Sequence, residues 1–291
     1  MSTSERAMQK LVVDGATIEY ADSGGAGEVI LLVPAGVFGA GFVPLAASPE
    51  LEGSRVIRLV RAGYTSGPAP TAHLTLADHA AHAAALLDHL GIQTAHIVGH
   101  SSGSAIVMQL GLDRPDLVTS LVLSEPPLID PLADPADLEF LHTVVGPMIG
   151  SAVAAADGGD VAAAFDTFMS VICGPDYRSV LHDALGPEGL AQAEQESRFF
   201  FADEIPAIMR WRFDEHTATG LRAPVLLVQG GASAPPVHRL VANVAAMLPH
   251  AEIATIDGED HLLPLRSPTA LGHVIAAFSQ RHPATATTTT V

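Results

Sequence analysis

The sequence AHIVGHSSGSA at residues 95–105 decides the fold, because it joins an apolar run to a helical pattern through the motif Gly-x-Ser-x-Gly. This context predicts a sharp strand-to-helix turn, with Ser101 at its apex and the serine hydroxyl at the carboxyl end of the strand. Gly99 and Gly103 leave room for such a turn to pack. The motif alone is a weak signal, so the rest of the chain has to support a serine nucleophile.

Short apolar runs rich in β-branched residues predict strands that are buried on both faces, as in a mainly parallel sheet. An earlier segment alternates apolar and polar residues around Asp14-Gly15, which predicts a β-hairpin at the edge of that sheet. The apolar runs lie at residues 28–36, 54–60, 94–99, 117–125, 223–231 and 251–258.

Helical patterns separate these runs, and the alternation predicts a three-layer α/β fold with helices on both faces of the sheet. The last helix is entered through Ser267 as N-cap, with Pro268 in its first turn. The helical patterns lie at residues 74–90, 102–112, 237–248 and 268–280.

The regular alternation stops between residues 126 and 222, where the sequence shows helical patterning and no strand. A segment of about a hundred residues is too long for a bare loop in a compact domain. We therefore expect a core formed by residues 1–125 and 223–283, with a helical insertion at residues 126–222. The polar, low-complexity residues 284–291 predict a disordered tail.

The charge balance is strongly acidic, with 14 Lys and Arg against 32 Asp and Glu and a formal net charge of −18. Such a surface repels phosphate backbones and anionic membranes, so we expect neither nucleic acid nor a membrane as a partner. The N-terminus lacks the apolar stretch of a secretory signal, and no later window has roughly 18 unbroken apolar residues. These observations predict a cytoplasmic protein, which we expect to be a monomer or homodimer.

Metal and redox chemistry find little support in the sequence. Cys173 is the single cysteine, which excludes an internal disulfide, and no spacing of cysteine and histidine indicates zinc. His79 and His82 lie at i and i+3 of a predicted helix without further ligands, which favours a solvated helix face over a metal site. We therefore expect no metal and no cofactor.

A serine hydroxyl needs a base within hydrogen-bond reach to act as a nucleophile, and the chain offers 14 histidines. His261 follows the last predicted strand, which puts it on a loop at the same edge of the sheet as Ser101. His100 adjoins the serine at a spacing that points it elsewhere, so a packing or entrance role is favoured. His261 is therefore the predicted general base.

These features together resemble the α/β-hydrolase superfamily, in the form that carries a lid. The resemblance covers residues 11–281 in order and includes VRAGYTSGPAP at residues 60–70, which is similar to the family's Arg-x-Gly-[Tyr/His]-Gly-x-Ser loop. It implies the three-layer α/β-hydrolase fold, with residues 126–222 as a helical cap over the active site. It also implies serine-nucleophile chemistry that needs no cofactor.

The first departure from the family pattern concerns the acid of the catalytic triad. The family commonly carries it after the strand at residues 223–231, but Ser233 occupies that place here. Glu125, at the carboxyl end of the strand after the serine helix, is the candidate replacement, and this placement is similar to that of the acid in some superfamily members, certain haloalkane dehalogenases among them. The alternatives are a surface role for Glu125, with Asp257 or Asp260 beside His261 as the acid.

The second departure concerns the oxyanion hole, because Pro34 and Ala35 replace the His-Gly pair that is common in the family. An oxyanion hole needs preorganised N–H groups rather than a particular side chain. We expect the amide of Ser102, together with the amide of Gly36 or Val37, to bind the oxyanion.

Apolar residues in the helical insertion suggest the substrate class, since three or four of them are expected to line a pocket for a hydrophobic compound. Three arginines nearby are expected either to bind a substrate carboxylate or to form surface ion pairs. The apolar set is Phe165, Phe168, Met169, Phe199, Phe200, Phe201, Met209 and Trp211, and the arginines are Arg198, Arg210 and Arg212.

The sequence therefore predicts a hydrolase of an apolar small-molecule ester, lactone or thioester, in which Ser101, His261 and Glu125 form the triad. A carbon–carbon bond hydrolase, a lyase or a cyclase would use the same residues, and the fold does not choose among them. The third alternative is a non-catalytic small-molecule binder with a degraded triad.

Overall fold

A computed structural model of the chain describes residues 8–127 and 135–284. Apart from Ala284, the tail expected at residues 284–291 lies outside the described residues. The described strands form a single eight-stranded sheet. They are β1 (Gln9–Val13), β2 (Ala16–Asp22), β3 (Val29–Val33), β4 (Arg55–Val60), β5 (Ala95–His100), β6 (Val118–Ser124), β7 (Val225–Gly230) and β8 (Glu252–Ile256).

The strand order across the sheet is β1-β2-β4-β3-β5-β6-β7-β8. The β1–β2 and β2–β4 pairs are antiparallel, whereas the remaining pairs are parallel. Asp14 and Gly15 turn β1 into β2 with φ angles of 50° and 83°, as a tight hairpin turn requires. The mainly parallel sheet with an edge hairpin is confirmed.

Helices cover both faces of the sheet, as the alternating pattern predicts. Neighbouring residues of β3 show the two faces, because Leu31 belongs to one apolar cluster and Ile30 to the other. The first cluster includes residues of α2 (Leu76–His89), α3 (Ser102–Asp113) and α10 (Pro235–Met247), and the second includes residues of α1 (Val43–Ala46), α11 (Leu263–Arg266) and α12 (Pro268–Arg281).

The chain between β6 and β7 is helical and has no strand in its described part, residues 125–127 and 135–224. We call residues 135–222 the helical insertion. Two π-helical turns, Leu141–Val145 and Phe200–Glu204, extend its helices. The helices are α4 (Pro135–Phe140), α5 (Gly146–Asp157), α6 (Val161–Ile172), α7 (Tyr177–Phe199), α8 (Ile205–Arg210) and α9 (Glu215–Ala218).

One helical stretch among the described residues, Leu138–Asp157, is long and apolar enough to cross a membrane by length and composition alone. Its mean hydropathy is 1.3, and 17% of it is buried. Glu139, His142 and Ser151 interrupt the apolar residues, which is why a search for an unbroken apolar run does not find this stretch.

A buried ion pair joins the helical insertion to the core. Nη2 of Arg61, just after β4, donates hydrogen bonds of 2.9 and 3.1 Å to the two carboxylate oxygens of Glu204. The Tyr64 hydroxyl also donates to Glu204. Gly63 has φ of 91°, and a Cβ there would lie 2.4 Å from the Phe199 ring. The loop at residues 60–70 therefore holds the helical insertion in place.

His79 and His82 are buried, with only 2% and 3% of each residue exposed, so the prediction of a solvated helix face is wrong for both. The His79 ring contacts the rings of His82 and Phe199 edge to face, because the helical insertion covers this part of α2. Burial, together with the nearby Arg61 charge, lowers the pKa of His79 well below its usual value. No group of three or more potential metal ligands occurs among the described residues.

Candidate active site

Ser101 lies in a strained turn between β5 and α3, with φ of 51° and ψ of −124°. A positive φ is unfavourable for a residue with a side chain and often marks a functional site. A Cβ at Gly99 would lie 2.5 Å from the Gly103 carbonyl oxygen, and one at Gly103 would lie 2.4 Å from that of Val33. The two glycines therefore permit the close packing that the motif predicts. Ser101 stands at the N-terminus of α3, where the helix dipole favours negative charge.

Glu125 follows β6 and is fully buried. Its Oε2 accepts a hydrogen bond of 2.7 Å from Nδ1 of His261. Its Oε1 accepts a hydrogen bond of 2.8 Å from the Gly230 amide and another from the Ser233 hydroxyl. The end of β6, the loop after β7 and the loop after β8 thus meet at this carboxylate.

The charge on Glu125 is stabilised by these partners. Burial alone would raise the pKa of Glu125, but the hydrogen bond and charge of His261, with the hydrogen bonds from Ser233 and Gly230, lower it to about 2. Glu125 is therefore ionised at neutral pH. Its negative charge favours the His261 tautomer that carries a proton on Nδ1.

The alternative acids lie elsewhere. Oδ1 of Asp260 accepts hydrogen bonds from the Leu262 amide at 2.9 Å and from Nε of Arg266 at 3.0 Å. No hydrogen bond among the described residues joins Asp257 or Asp260 to His261. The structure thus brings Glu125 to His261, and the two aspartates do not contact it.

His100 supports the loop that carries His261. Its Nε2 lies 2.9 Å from the carbonyl oxygen of His261, and the two rings are 4.8 Å apart. Burial and the charge of His261 lower the pKa of His100 to about 3. His100 is therefore neutral, and Nε2 is the protonated nitrogen that donates to the carbonyl. This contact agrees with the predicted packing role and excludes His100 as the base.

The expected oxyanion donors differ in their availability. The Ser102 amide is in the first position of α3 and has no acceptor among the described residues. The Gly36 amide, in contrast, donates a hydrogen bond of 2.7 Å to the Ser102 hydroxyl. In this structure the Ser102 hydroxyl is therefore the partner of the Gly36 amide, and the role of Gly36 as an oxyanion donor stays a prediction.

Val37 is the other expected second donor. Its φ is 74°, which is a strained conformation for a β-branched residue. The Val37 amide faces the Tyr64 phenol, where it opposes the rise in the pKa of Tyr64 that burial and the charge of Glu204 cause. The second oxyanion donor expected at residue 36 or 37 therefore stays a prediction.

A cavity of about 500 Å³ opens onto the serine turn. Ser101, Ser102, Glu125 and His261 line one side of it, and we call these four residues the catalytic cluster. Apolar side chains of the helical insertion and α10 line most of the remainder. The apolar residues predicted to face a pocket do so in four cases, which are Phe168, Phe200, Met209 and Trp211.

Ser101 and His261 line the same cavity, but no hydrogen bond joins their side chains in the described part of the chain. Bonds between a nucleophile and its base are often long until a substrate is bound. Cys173 offers no alternative nucleophile, because it is buried and its burial raises the pKa of the thiol well above its usual value.

In a comparison with known families, residues 29–146 match the family model described as the alpha/beta hydrolase fold. Two curated relatives share one name, the dihydrolipoyllysine-residue acetyltransferase component of an acetoin cleaving system. The relative from Cupriavidus necator is 34% identical over 116 residues, a match that covers 39% of this chain and 30% of the relative. The relative from Pseudomonas putida is 27% identical over 282 residues, covering 95% of this chain and 70% of the relative. The chain therefore spans less than a third of the first relative.

Solved structures show the same fold over nearly the whole chain. A hydrolase from Pseudomonas aeruginosa has a TM-score of 0.76 and 20% identity, covering 93% of this chain and 97% of that protein. An enol-lactonase from Burkholderia xenovorans has a TM-score of 0.74 and 18% identity, covering 94% of this chain and all of that protein. At these identities the similarity concerns the fold alone.

Proposed function

We propose that this chain, whose residues 29–146 match the alpha/beta hydrolase fold model and whose structure has that fold, is a serine hydrolase acting on an apolar small-molecule ester, lactone or thioester. The observation that carries this proposal is the buried Glu125 carboxylate, 2.7 Å from Nδ1 of His261, beside a cavity that Ser101 also lines. A histidine oriented by a carboxylate next to a serine in a strained turn is the arrangement that acyl transfer requires.

In the proposed reaction, the Ser101 hydroxyl attacks the carbonyl carbon of the substrate while Nε2 of His261 accepts its proton. Glu125 holds the imidazole with Nδ1 protonated, so that Nε2 is the free base, and it stabilises the imidazolium that forms. The His100 hydrogen bond to the His261 carbonyl oxygen keeps this loop in position.

The tetrahedral intermediate needs donors for its oxyanion, and the Ser102 amide is the available one. It lies next to the nucleophile at the N-terminus of α3, where the helix dipole also favours negative charge. His261 then donates its proton to the leaving oxygen or sulfur, which leaves an acyl group on Ser101. A water molecule, deprotonated by His261, releases the acid in the second half of the reaction.

The substrate class follows from the cavity lining, which is mostly apolar side chains of the helical insertion. We propose that this insertion acts as a cap that surrounds the apolar part of the substrate and excludes bulk water during the reaction. The enol-lactonase with the same fold supports a lactone or ester as the scissile group. The two curated relatives named as acetyltransferase components are longer than this chain, so their activity is not proposed for it.

Hydrolysis of p-nitrophenyl hexanoate by purified protein tests the proposal. Ser101→Ala and His261→Ala should lower kcat by about 10³-fold or more, because the members of a triad act as a unit. Glu125→Gln should lower it by up to about 10⁴-fold. The exposed residues His250 and Glu252 provide matched controls, so His250→Ala and Glu252→Gln should retain wild-type activity.

Two outcomes separate the parts of the proposal. Turnover that does not depend on Ser101 would contradict the serine hydrolase itself. Full activity in Glu125→Gln would instead overturn only the assignment of the acid.

A further inference from the structure

Among the described lining residues of the cavity, one arginine has side-chain donors without an acceptor, which indicates what a substrate carries besides its scissile bond. Apart from the catalytic cluster, only Trp211 and Arg212 place side-chain N–H groups among the described lining residues. The Trp211 indole N–H is already bonded to Oε1 of Gln109 at 2.9 Å. Arg212 is therefore the remaining side chain with hydrogen-bond donors for a ligand.

The Arg212 guanidinium is held at one corner and free at the opposite edge. Its Nη1 donates hydrogen bonds of 2.6 and 2.9 Å to the carbonyl oxygens of Met209 and Trp211, at the C-terminal end of α8. Its Nε and Nη2 have no acceptor, and no carboxylate pairs with it in the part of the chain that is described. These contacts hold the Arg212 side chain through Nη1. They do not use the Nε–Nη2 edge, which binds carboxylates best.

The same edge binds a carboxylate elsewhere in this molecule. Arg55 uses Nε and Nη2 to hold the two oxygens of Asp22 at 3.1 and 2.7 Å. Such bidentate pairs combine charge with a fixed planar geometry, which makes arginine selective for carboxylates. Arg212 lines the cavity, and its Nε–Nη2 edge has no acceptor among the described residues.

The neighbouring arginines do not share this position. Arg198, Arg210 and Arg212 are all exposed, but of the three only Arg212 lines the cavity. Because the chain has a net charge of −18, an anionic substrate is repelled by most of the surface and needs a local cation to bind. Arg212 meets that need at the cavity.

We infer that Arg212 binds a carboxylate at the end of the substrate remote from its scissile bond. The substrate class is thus an ester, lactone or thioester whose apolar body ends in a carboxylate, such as a half-ester of a dicarboxylic acid. This inference rests on the proposed function, because it takes the acyl group to be held between Ser101 and Arg212.

Matched p-nitrophenyl esters test the inference. Half-esters of glutaric, adipic and suberic acid are compared with esters of pentanoic, hexanoic and octanoic acid, which have the same chain lengths but end in a methyl group. The ratio of kcat/KM within each pair measures the preference for the carboxylate and cancels the fraction of active enzyme. The chain length with the largest ratio reports the span from Ser101 to Arg212.

Wild-type protein should prefer the carboxylate ester at its best chain length by about tenfold, the size expected of a charge-assisted hydrogen bond at a partly exposed site. Arg212→Gln should remove this preference, and Arg212→Lys should retain part of it. Arg210→Gln, a control two residues away, should keep the full preference. An equal ratio in wild type and Arg212→Gln would overturn the inference while the hydrolase proposal stands.

A binding measurement tests the inference without turnover. In the Ser101→Ala background, the dissociation constant of monomethyl adipate is measured by isothermal titration calorimetry with Arg212 intact and with Arg212→Gln. The constant should rise about tenfold on loss of the guanidinium. Unchanged affinity would overturn the role of Arg212, whereas inactivity of the wild type toward every ester would overturn the hydrolase proposal alone.

Discussion

The position of the Glu125 carboxylate is set by its backbone conformation and by hydrogen-bond donors that are distant in sequence. It follows β6 with φ of 42°. Its carboxylate accepts hydrogen bonds from Gly230, the last residue of β7, and from Ser233 in the following loop. In the family pattern the acid stands at the position of Ser233. Here Ser233 donates a hydrogen bond to the Glu125 carboxylate. That carboxylate contacts His261 from the end of β6 instead of from the loop after β7.

The depressed pKa of Glu125 predicts a specific loss of stability in acid. Its value of about 2 in the folded protein lies below the ordinary value of 4.5, so the contribution is present above pH 4.5 and is lost as the pH falls toward 2. One extra proton bound by the unfolded chain gives a slope of about 1.4 kcal/mol per pH unit. Between pH 4 and pH 3, the wild type should therefore lose about 1 kcal/mol more than Glu125→Gln.

Urea unfolding of both proteins at the two pH values measures this difference. Glu252→Gln, at an exposed position, is the control and should follow the wild type. The same pH dependence in wild type and Glu125→Gln would show that Glu125 is not held as a carboxylate.

Moving the acid back to position 233 tests whether a carboxylate near His261 is what the site requires. Glu125→Gln should lower kcat by up to about 10⁴-fold, and the double variant Glu125→Gln/Ser233→Asp should recover about tenfold or more of it. Ester hydrolysis measures both variants, with Ser233→Asp alone as the reference. A double variant no more active than Glu125→Gln would mean that the geometry of Glu125 cannot be replaced from the β7 loop.

At the scale of elements, the helical insertion is joined to the sheet by a buried ion pair. Arg61 and Glu204 are fully buried together, and Phe199, the last residue of α7, packs against Gly63. Phe200, which lines the cavity, packs against Gly36, where a Cβ would lie 2.5 Å from its ring. The insertion therefore cannot shift without disturbing the residues beside the serine turn.

Removing one member of this pair should be costly. Glu204→Leu leaves the Arg61 charge buried without a partner, which should lower the free energy of unfolding by about 3–5 kcal/mol. The double variant Arg61→Met/Glu204→Leu should recover most of this loss, since no charge is then left unpaired. Denaturant titration measures all three proteins.

The neighbouring surface pair is the matched control. Asp203 contacts His73, whose side chain is 84% exposed, so Asp203→Asn should cost less than about 1 kcal/mol. A Glu204→Leu protein as stable as Asp203→Asn would contradict the role of the ion pair.

The strands and helices of the core could be predicted because each follows from a local pattern. The serine turn was predicted for the same reason, since strand, glycines and helix are contiguous in sequence. The long-range contacts could not be predicted in this way. Arg61 and Glu204 are 143 residues apart, and the burial of His79 depends on Phe199 of the helical insertion. The hydrogen bond of the Gly36 amide is another such contact, because Ser102, which accepts it, is 66 positions away.

Over the whole molecule, the sheet and the helical insertion contribute different parts of the proposed reaction. The carboxyl ends of β5, β6 and β8 with the following loops supply the catalytic cluster, whereas the insertion supplies most of the apolar lining and Arg212. We propose Arg212 as the counterpart of an anionic substrate, because the protein carries a large net negative charge. Substrate choice is thus expected to change with the insertion while the chemistry stays with the sheet.

Covalent labelling tests the central proposal most directly. Wild-type protein is incubated with a fluorophosphonate probe, and the modified peptide is identified by mass spectrometry. We expect one adduct, on Ser101, that forms more slowly in Glu125→Gln and is absent from Ser101→Ala. An unlabelled wild type, or an adduct on Ser102 in place of Ser101, would contradict the assignment of the nucleophile.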